Sequence, residues 1–253
     1  MSNKNKTVIR TMELIHLFIE HPELTFQEIV ELSEVPKSSA FRMISSLEEM
    51  RYLEKGEDNK YRLGTVFLKL GQLVSSRLNV RKIATPIMQS LHEQYHQAIN
   101  LAILEGNEAV YVEKIDHYQR VKLYTSVGRR SPLYGGACAR AILSFLTNNE
   151  IETYLKNIEL IPYSPQTIIK PDELWLTIQE ARRNGYTVSK SELEAHTASV
   201  AAPIFDYSGK VIGSISIAGI ENDFTDEKVK VYGEAMIGAA RLITGELGYK
   251  IDQ

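Results

Sequence analysis

Apolar positions recur at helical spacing through the first part of the chain. Ile9, Met12, Leu14, Ile15, Leu17, Phe18 and Ile19 set one helix over residues 8–21, and Pro22 ends it. Thr25 followed by Glu28 is a capping-box pattern that opens a second helix. Ile29, Val30 and Leu32 give that helix its apolar side. Pro36 stops it and suits the first position of a third helix, which runs from about Lys37 to Arg51. At about 100° per residue, Ala40, Met43, Ile44, Leu47 and Met50 share one arc of that third helix. Ser38, Arg42, Ser45, Ser46 and Glu49 fall on the opposite arc, with Ser39 at its edge.

The period then changes. Short alternating pieces at Tyr52–Lys55 and Lys60–Leu63 flank a turn-rich GEDN, which predicts a hairpin. Three helices followed by a hairpin is the order of a winged helix-turn-helix. Residues 65–79 form a mainly apolar helix carrying Val66, Phe67, Leu70, Leu73 and Val74. It is too apolar for a solvated linker and is expected to pack on a partner chain or a neighbouring domain. Another helix follows over residues 80–96. Residues 100–128 are rich in β-branched and aromatic residues and break at Gly106-Asn107, which predicts a hairpin-containing sheet. Helices are expected at 136–146, 149–158 and 170–186, the last stopped by Gly185. Two strands surround the turn Asp206–Lys210, and a long helix beginning near Thr225 closes the chain. The class is α+β. The expected division is a winged helix-turn-helix over 1–64, a linker helix over 65–80, and a domain of antiparallel sheet flanked by helices over 81–253.

Composition modifies this picture in two ways. The 43% hydrophobic fraction suffices for real cores, but the formal net charge of −3 gives no global electrostatic case for nucleic acid. Residues 1–64 hold nine Lys and Arg against eleven Asp and Glu. DNA binding therefore depends on where the cations stand. Lys37, Arg42 and Arg51 lie on the third helix, and Lys55, Lys60 and Arg62 follow it. The single cysteine, Cys138, excludes an intrachain disulfide and fits a reducing cytosol. The polar start is no signal peptide, and no apolar run approaches about 18 residues, so a cytoplasmic protein without membrane contact is expected.

The third helix carries the first candidate chemistry. Short hydroxyls permit close approach to a major groove and meet phosphates, while arginine can bond guanine in a bidentate way. Lys37, Ser38, Ser39, Arg42 and Ser45 are the expected groove contacts, with Lys60 and Arg62 reaching phosphate or minor groove from the hairpin. Two other chemistries have sequence support. His92-Glu93-Gln94-Tyr95-His96 fits the H-E-x-x-H pattern of a zinc hydrolase, with Asp116 or His117 as nearest further ligand. Cys138, near a helix start, could have a lowered pKa and act as a thiol sensor, or as a hydrolase nucleophile with His196 or His117. Neither pattern is completed by a partner signature, so no enzyme, cofactor or metal is expected.

Several segments together resemble the IclR family of bacterial transcriptional regulators, over nearly the whole chain. Pro36-Lys37-Ser38-Ser39-Ala40-Phe41-Arg42-Met43-Ile44 matches that family's groove-reading stretch, and Tyr61-Arg62-Leu63-Gly64 its wing. Gly128-Arg129-Arg130-Ser131-Pro132-Leu133-Tyr134, Gly185-Tyr186, Ala201-Ala202-Pro203-Ile204-Phe205 and Ser214-Ile215-Ser216-Ile217-Ala218-Gly219 follow in family order. The first of these is also similar to the subgroup of sugar-acid regulators. The resemblance implies a GAF-like effector domain, dimers or tetramers on a palindromic operator in double-stranded DNA, and mostly repressors. It implies a small-molecule effector lined by Ala137, Cys138, Ser189, Ser199 and Ser216, with Leu123 as an apolar wall. The expected ligand is a small carboxylate at the start of the helix near Gly136, where free amides and the helix dipole favour an anion. One departure stands out: Ala139-Arg140 replaces the family's Gly-Lys, which is expected to narrow the pocket floor. The segment Ser191–His196 also matches the family poorly, and Ser189 stands where an acidic residue is common.

Overall fold

The computed structural model describes residues 4–76, 79–116 and 125–248. The chain forms two compact units, Met1–Arg77 and Leu78–Gln253.

In the first unit, α1 (Lys6–Glu20), β1 (Leu24–Thr25), α2 (Phe26–Ser33), α3 (Lys37–Glu49), β2 (Leu53–Lys55), β3 (Lys60–Leu63) and α4 (Val66–Ser76) follow in order. The capping box forms: Thr25 Oγ1 accepts from the Glu28 amide at 3.3 Å, and Glu28 accepts from the Thr25 amide at 2.7 Å. The turn between α2 and α3 is made without glycine, because Glu34 adopts the left-handed conformation at φ 53°. Pro36 stands at the N-cap of α3 rather than inside it. The hairpin β2–β3 is joined by β1, which no sequence pattern announced: two residues are too short for a period, and β1 exists only through its pairing of Leu24 with Tyr61 and Thr25 with Lys60. Gly64 closes the hairpin, and a Cβ there would meet the Arg51 carbonyl oxygen at 2.0 Å.

Leu14, Ile15, Phe18, Ile29, Ile44, Leu47, Leu53 and Tyr61 make the core of this unit. The apolar arcs read from the sequence are wider than what is buried. Ile9, Met12, Ile19, Leu32 and Met50 are exposed, because a three-helix unit covers only one side of each helix. On α4, Phe67 packs edge-on against Tyr52, while Leu68 is 75% exposed and Leu70 also faces outward.

In the second unit, α5 (Asn79–Tyr95), β4 (Ala98–Glu105), β5 (Glu108–Ile115) and β6 (Arg130–Pro132) precede three helices, α6 (Gly136–Ser144), α7 (Asn148–Asn157) and α8 (Pro171–Asn184). Then come β7 (Thr187–Lys190), β8 (Thr197–Phe205), β9 (Val211–Ile220) and α9 (Asp226–Glu246). The strands form one antiparallel sheet in the order β6-β5-β4-β9-β8-β7. The short β6 and β7 are edge strands that the hydrophobic pattern did not separate from their surroundings. Helices α5 and α9 cover one face, burying Met88, Ile99, Leu101, Val200, Ile215, Ile217 and Met236 between them and the sheet. Helices α6, α7 and α8 cover the other.

Period-two alternation sends different residue sizes to the two faces. The α5–α9 face takes the branched residues. The α6 face takes Asn100, Ser199, Ala201, Ser214 and Ser216, all small or polar. This lets α6, whose first residues are Gly136-Ala137-Cys138-Ala139, lie close on the strands. Thr187 donates to the Ala137 carbonyl and Ser214 to the Cys138 carbonyl, both at 2.7 Å, which pins the first turn of α6 to the sheet. Gly185 ends α8 in the left-handed conformation.

Two readings from the sequence are corrected by the structure. Ala139 and Arg140 do not narrow a pocket floor. Ala139 is fully buried, and the Arg140 guanidinium turns to the Glu192 carboxylate (2.7 Å to Oε1) and the Val188 carbonyl. His92 and His96 do not share a helix face, since α5 ends at Tyr95 and His96 takes a left-handed φ of 53°. No cluster of three or more His, Cys, Asp or Glu placed to hold a metal occurs among the described residues; Asp116 pairs with Lys114, and His117 lies outside them. No helix among the described residues is long and apolar enough to cross a membrane.

The Arg140–Glu192 pair is buried, with 2% and 7% side-chain exposure. Arg140→Ala should therefore leave a buried carboxylate without its cation and cost about 3–5 kcal/mol, read as a loss in the urea unfolding transition of the second unit. A loss below about 1 kcal/mol would mean that Glu192 simply turns to water.

Candidate DNA-reading surface and ligand pocket

The candidate DNA-reading surface is the outward side of α3. Lys37, Ser38, Arg42 and Ser45 are exposed, and Ser39 is half-buried. Pro36 supplies no side-chain cap, so the first amides of α3 face outward beside Lys37 and Ser38, an arrangement suited to phosphate. The Arg42 side chain has no hydrogen-bond or ion-pair partner among the described residues, which leaves the fork open for a base edge. Phe41, not expected as a contact, stands 61% exposed beside it and packs edge-on against Phe26. Periodicity could not flag it, because a lone aromatic between two arcs has no pattern of its own.

The wing differs from expectation. Lys60 pairs with Glu23, and Arg62 bonds both Glu23 at 2.6 Å and Asp58 at 2.5 Å. Hydrogen bonding to Lys60 and Arg62 holds the Glu23 carboxyl below the usual range, and Arg62 lowers that of Asp58 to about 2. Both carboxylates are therefore ionised at neutral pH, and the acids flanking the wing occupy the cations that a phosphate would use.

The candidate ligand pocket lies in the second unit, between the small-residue face of the sheet and the N-terminus of α6. Its cavity volume is about 50 Å³, and it opens to solvent. Ala137, Cys138, Ser189, Ser199 and Ser216 all line it. Register explains their convergence: Ser189 lies opposite Ser199 on β7 and β8, and Ser216 lies opposite Asn100 on β9 and β4. Leu123 lies outside the described residues. The N-cap of α6 is Gly135, with no side chain to satisfy the first amides. Its C-terminus is capped instead by Arg182, which donates to the Ser144 and Leu146 carbonyls at 2.6 and 2.7 Å. The positive end of the helix dipole thus opens into the cavity while the negative end is neutralised.

Tyr111, Arg129, Glu194 and Asn100 also line the cavity and were missed as site residues. Arg129 had a signal in the segment 128–134, and Asn100 in its polarity within an apolar strand. Arg129 donates to Glu194 at 2.9 Å. Burial pushes the Tyr111 hydroxyl well above its ordinary pKa, so it remains a proton donor. Leu193 covers Gly135 and Gly136, where an added Cβ would stand 2.9 Å from its methyls. Cys138 stands as a buried residue lining the pocket, against the thiol-sensor alternative. It is buried, burial raises its pKa, and its sulfur lies 3.0 Å from Ser214 Oγ. A thiol held protonated and covered is a poor nucleophile.

Because Glu23 competes with phosphate for Lys60 and Arg62, Glu23→Gln should raise affinity for duplex DNA of any sequence. The slope of log affinity against log salt should steepen by roughly 1 to 2, measured by fluorescence anisotropy in a KCl series. An unchanged slope would mean that the wing stays away from the backbone.

Comparison with known proteins agrees with this arrangement. Residues 7–57 match the IclR helix-turn-helix domain, and residues 72–244 match the C-terminal domain of the bacterial transcriptional regulator IclR. The HTH-type transcriptional regulator KipR of Bacillus subtilis (strain 168) is 50% identical over 249 residues, spanning 98% of this chain and 100% of its own. The crystal structure of the Thermotoga maritima IclR superposes with a TM-score of 0.83 at 30% identity, covering 96% of this chain and 99% of that one. An IclR homologue from Microbacterium hydrocarbonoxydans, solved in complex with 4-hydroxybenzoate, superposes at 0.82 with 26% identity, covering 96% and 99%. A DNA-binding helix-turn-helix unit joined to a second, pocket-bearing unit, with these matches along almost all of its length, makes this chain a member of the IclR family of bacterial transcriptional regulators.

Proposed function

We propose that this regulator is a repressor that binds a palindromic operator as a homodimer, or as a pair of dimers, and is controlled by a small carboxylate in the second unit. Lys37, Ser38, Ser39 and Ser45 position α3 in the major groove, and Arg42 reads a base edge. Lys60 and Arg62 meet the backbone once phosphate displaces their acidic partners. The exposed leucines of α4 support the reading of this helix as a linker that packs against a second copy. The effector lowers operator affinity by binding one arrangement of the dimer more tightly than the other.

The observation that carries the effector reading is the uncapped N-terminus of α6, open to a cavity ringed by Ser189, Ser199 and Ser216. Free amides, hydroxyls and the Tyr111 hydroxyl all donate, which suits a carboxylate. The Microbacterium relative holds 4-hydroxybenzoate, also a carboxylate. The sign of regulation rests on the family resemblance. A thiol-sensing regulator is disfavoured by the burial and raised pKa of Cys138.

Arg42→Ala should cost about 1–3 kcal/mol of affinity for the operator and much less for random duplex, compared by anisotropy after footprinting defines the site. An equal loss on both would make Arg42 a phosphate contact. Ser216→Leu should fill the pocket and abolish the response of the protein–operator complex to effector, with effector-free operator affinity as the control for folding. A normal response in this variant would sink the pocket assignment.

A further inference from the structure

The pocket has a second polar pole, at Asn100. This residue stands in the middle of β4, is 2% exposed, and faces Ser216 across the strand pair. Its Nδ2 donates to Ser216 Oγ at 3.4 Å, a long bond. Its Oδ1 has no hydrogen-bond partner among the described residues. A buried amide oxygen without a partner is unfavourable, and native structures leave few such groups. In a binding cavity, it is the position at which a ligand completes the protein's own hydrogen bonding.

The remaining polar groups of the cavity differ in kind. The α6 amides and Arg129 only donate, and the serine hydroxyls rotate to donate or accept. Asn100 Oδ1 only accepts. A ligand that is nothing but a carboxylate satisfies the helix end and leaves Oδ1 bare. An ammonium would complement Oδ1 but would place a third charge beside the paired Arg129 and Glu194. A hydroxyl donates without adding charge.

Resting on the effector pocket proposed above, we infer that Asn100 is a specificity-determining residue and that the effector is a hydroxylated carboxylate, with its carboxylate toward the α6 N-terminus and its hydroxyl donating to Asn100 Oδ1. A site built to bond a ligand hydroxyl rejects the analogue that lacks it, because its own polar group is then left unpaired. Discrimination thus comes from the interior of the sheet, and Asn100 does in this pocket what a rotating serine cannot.

The test uses the full-length protein and matched sets of acids that differ at one group. Suitable sets are acetate with glycolate; propanoate with lactate, pyruvate and alanine; and benzoate with 3- and 4-hydroxybenzoate. Thermal shift is recorded against concentration for each, since a ligand of the folded state raises the midpoint by mass action. In at least one set, the hydroxylated acid should act at concentrations about tenfold or more below its unsubstituted, oxo and amino counterparts. Asn100→Leu should bring the hydroxylated and unsubstituted acids to equal potency. Equal potency in the wild-type protein in every set, or preference for the oxo or amino acid, overturns the Asn100 assignment while leaving the carboxylate pocket standing. A preference that survives Asn100→Leu overturns it as well. If no acid in any set shifts the wild-type protein, the pocket reading itself fails and this inference fails with it. The wild-type ratios decide the matter even if Asn100→Leu does not fold.

Discussion

The close approach of α6 to the sheet is the constraint on which the second unit depends. A helix normally rides about 10 Å above a sheet on layers of branched side chains. Here Ala201, Ser214 and Ser216 face Ala137, Cys138 and Ala141, and there is little side chain to separate them. Two hydrogen bonds, from Thr187 and Ser214, reach the carbonyls of the helix's first turn. The N-cap, Gly135, has no side chain, so the first amides of the helix remain uncapped beside the adjoining cavity. The same small residues that allow the contact thus also create the cavity.

The loop between β7 and β8 depends on that contact. Glu192 anchors it inward through Arg140, which reaches the far side of α6. Leu193 lies on Gly135 and Gly136, and Glu194 meets Arg129. Three consecutive residues thus tie the loop to the helix flank, to its N-terminus and to the segment before β6. Gly136 has φ 75° and Leu193 directly above it, so that position must be glycine on two counts. Leu193 and Glu194 of this loop also line the pocket.

The first unit follows a different logic. Its charge balance argues against DNA, and the structure explains how both facts hold. Glu23 and Asp58 sit on the wing cations, while the α3 face around Arg42 carries no acid within its outward arc before Glu49. Of the expected DNA contacts, the cations left unpaired by acids therefore stand on α3 rather than on the hairpin.

Long periodic segments were legible in the sequence: α1, α3, α8, α9 and the hairpin β4–β5 follow from spacing, caps and turn residues alone. So was the family, because its motifs are local and ordered. Ala137, Cys138, Ser189, Ser199 and Ser216 were legible only through that resemblance, since nothing in a serine's neighbours says which others it will meet. The two-residue β1 and the inward turn of Arg140 were not legible. Each is decided by a partner distant in the chain: Tyr61 and Glu192. The sequence by itself determined which stretches are helix or strand and which faces are apolar, because those are set by short-range period and propensity. Only the tertiary structure decided that Asn100 would stand unpaired in a cavity and that Lys60 and Arg62 would be held by acids, because burial and pairing belong to groups brought together by folding.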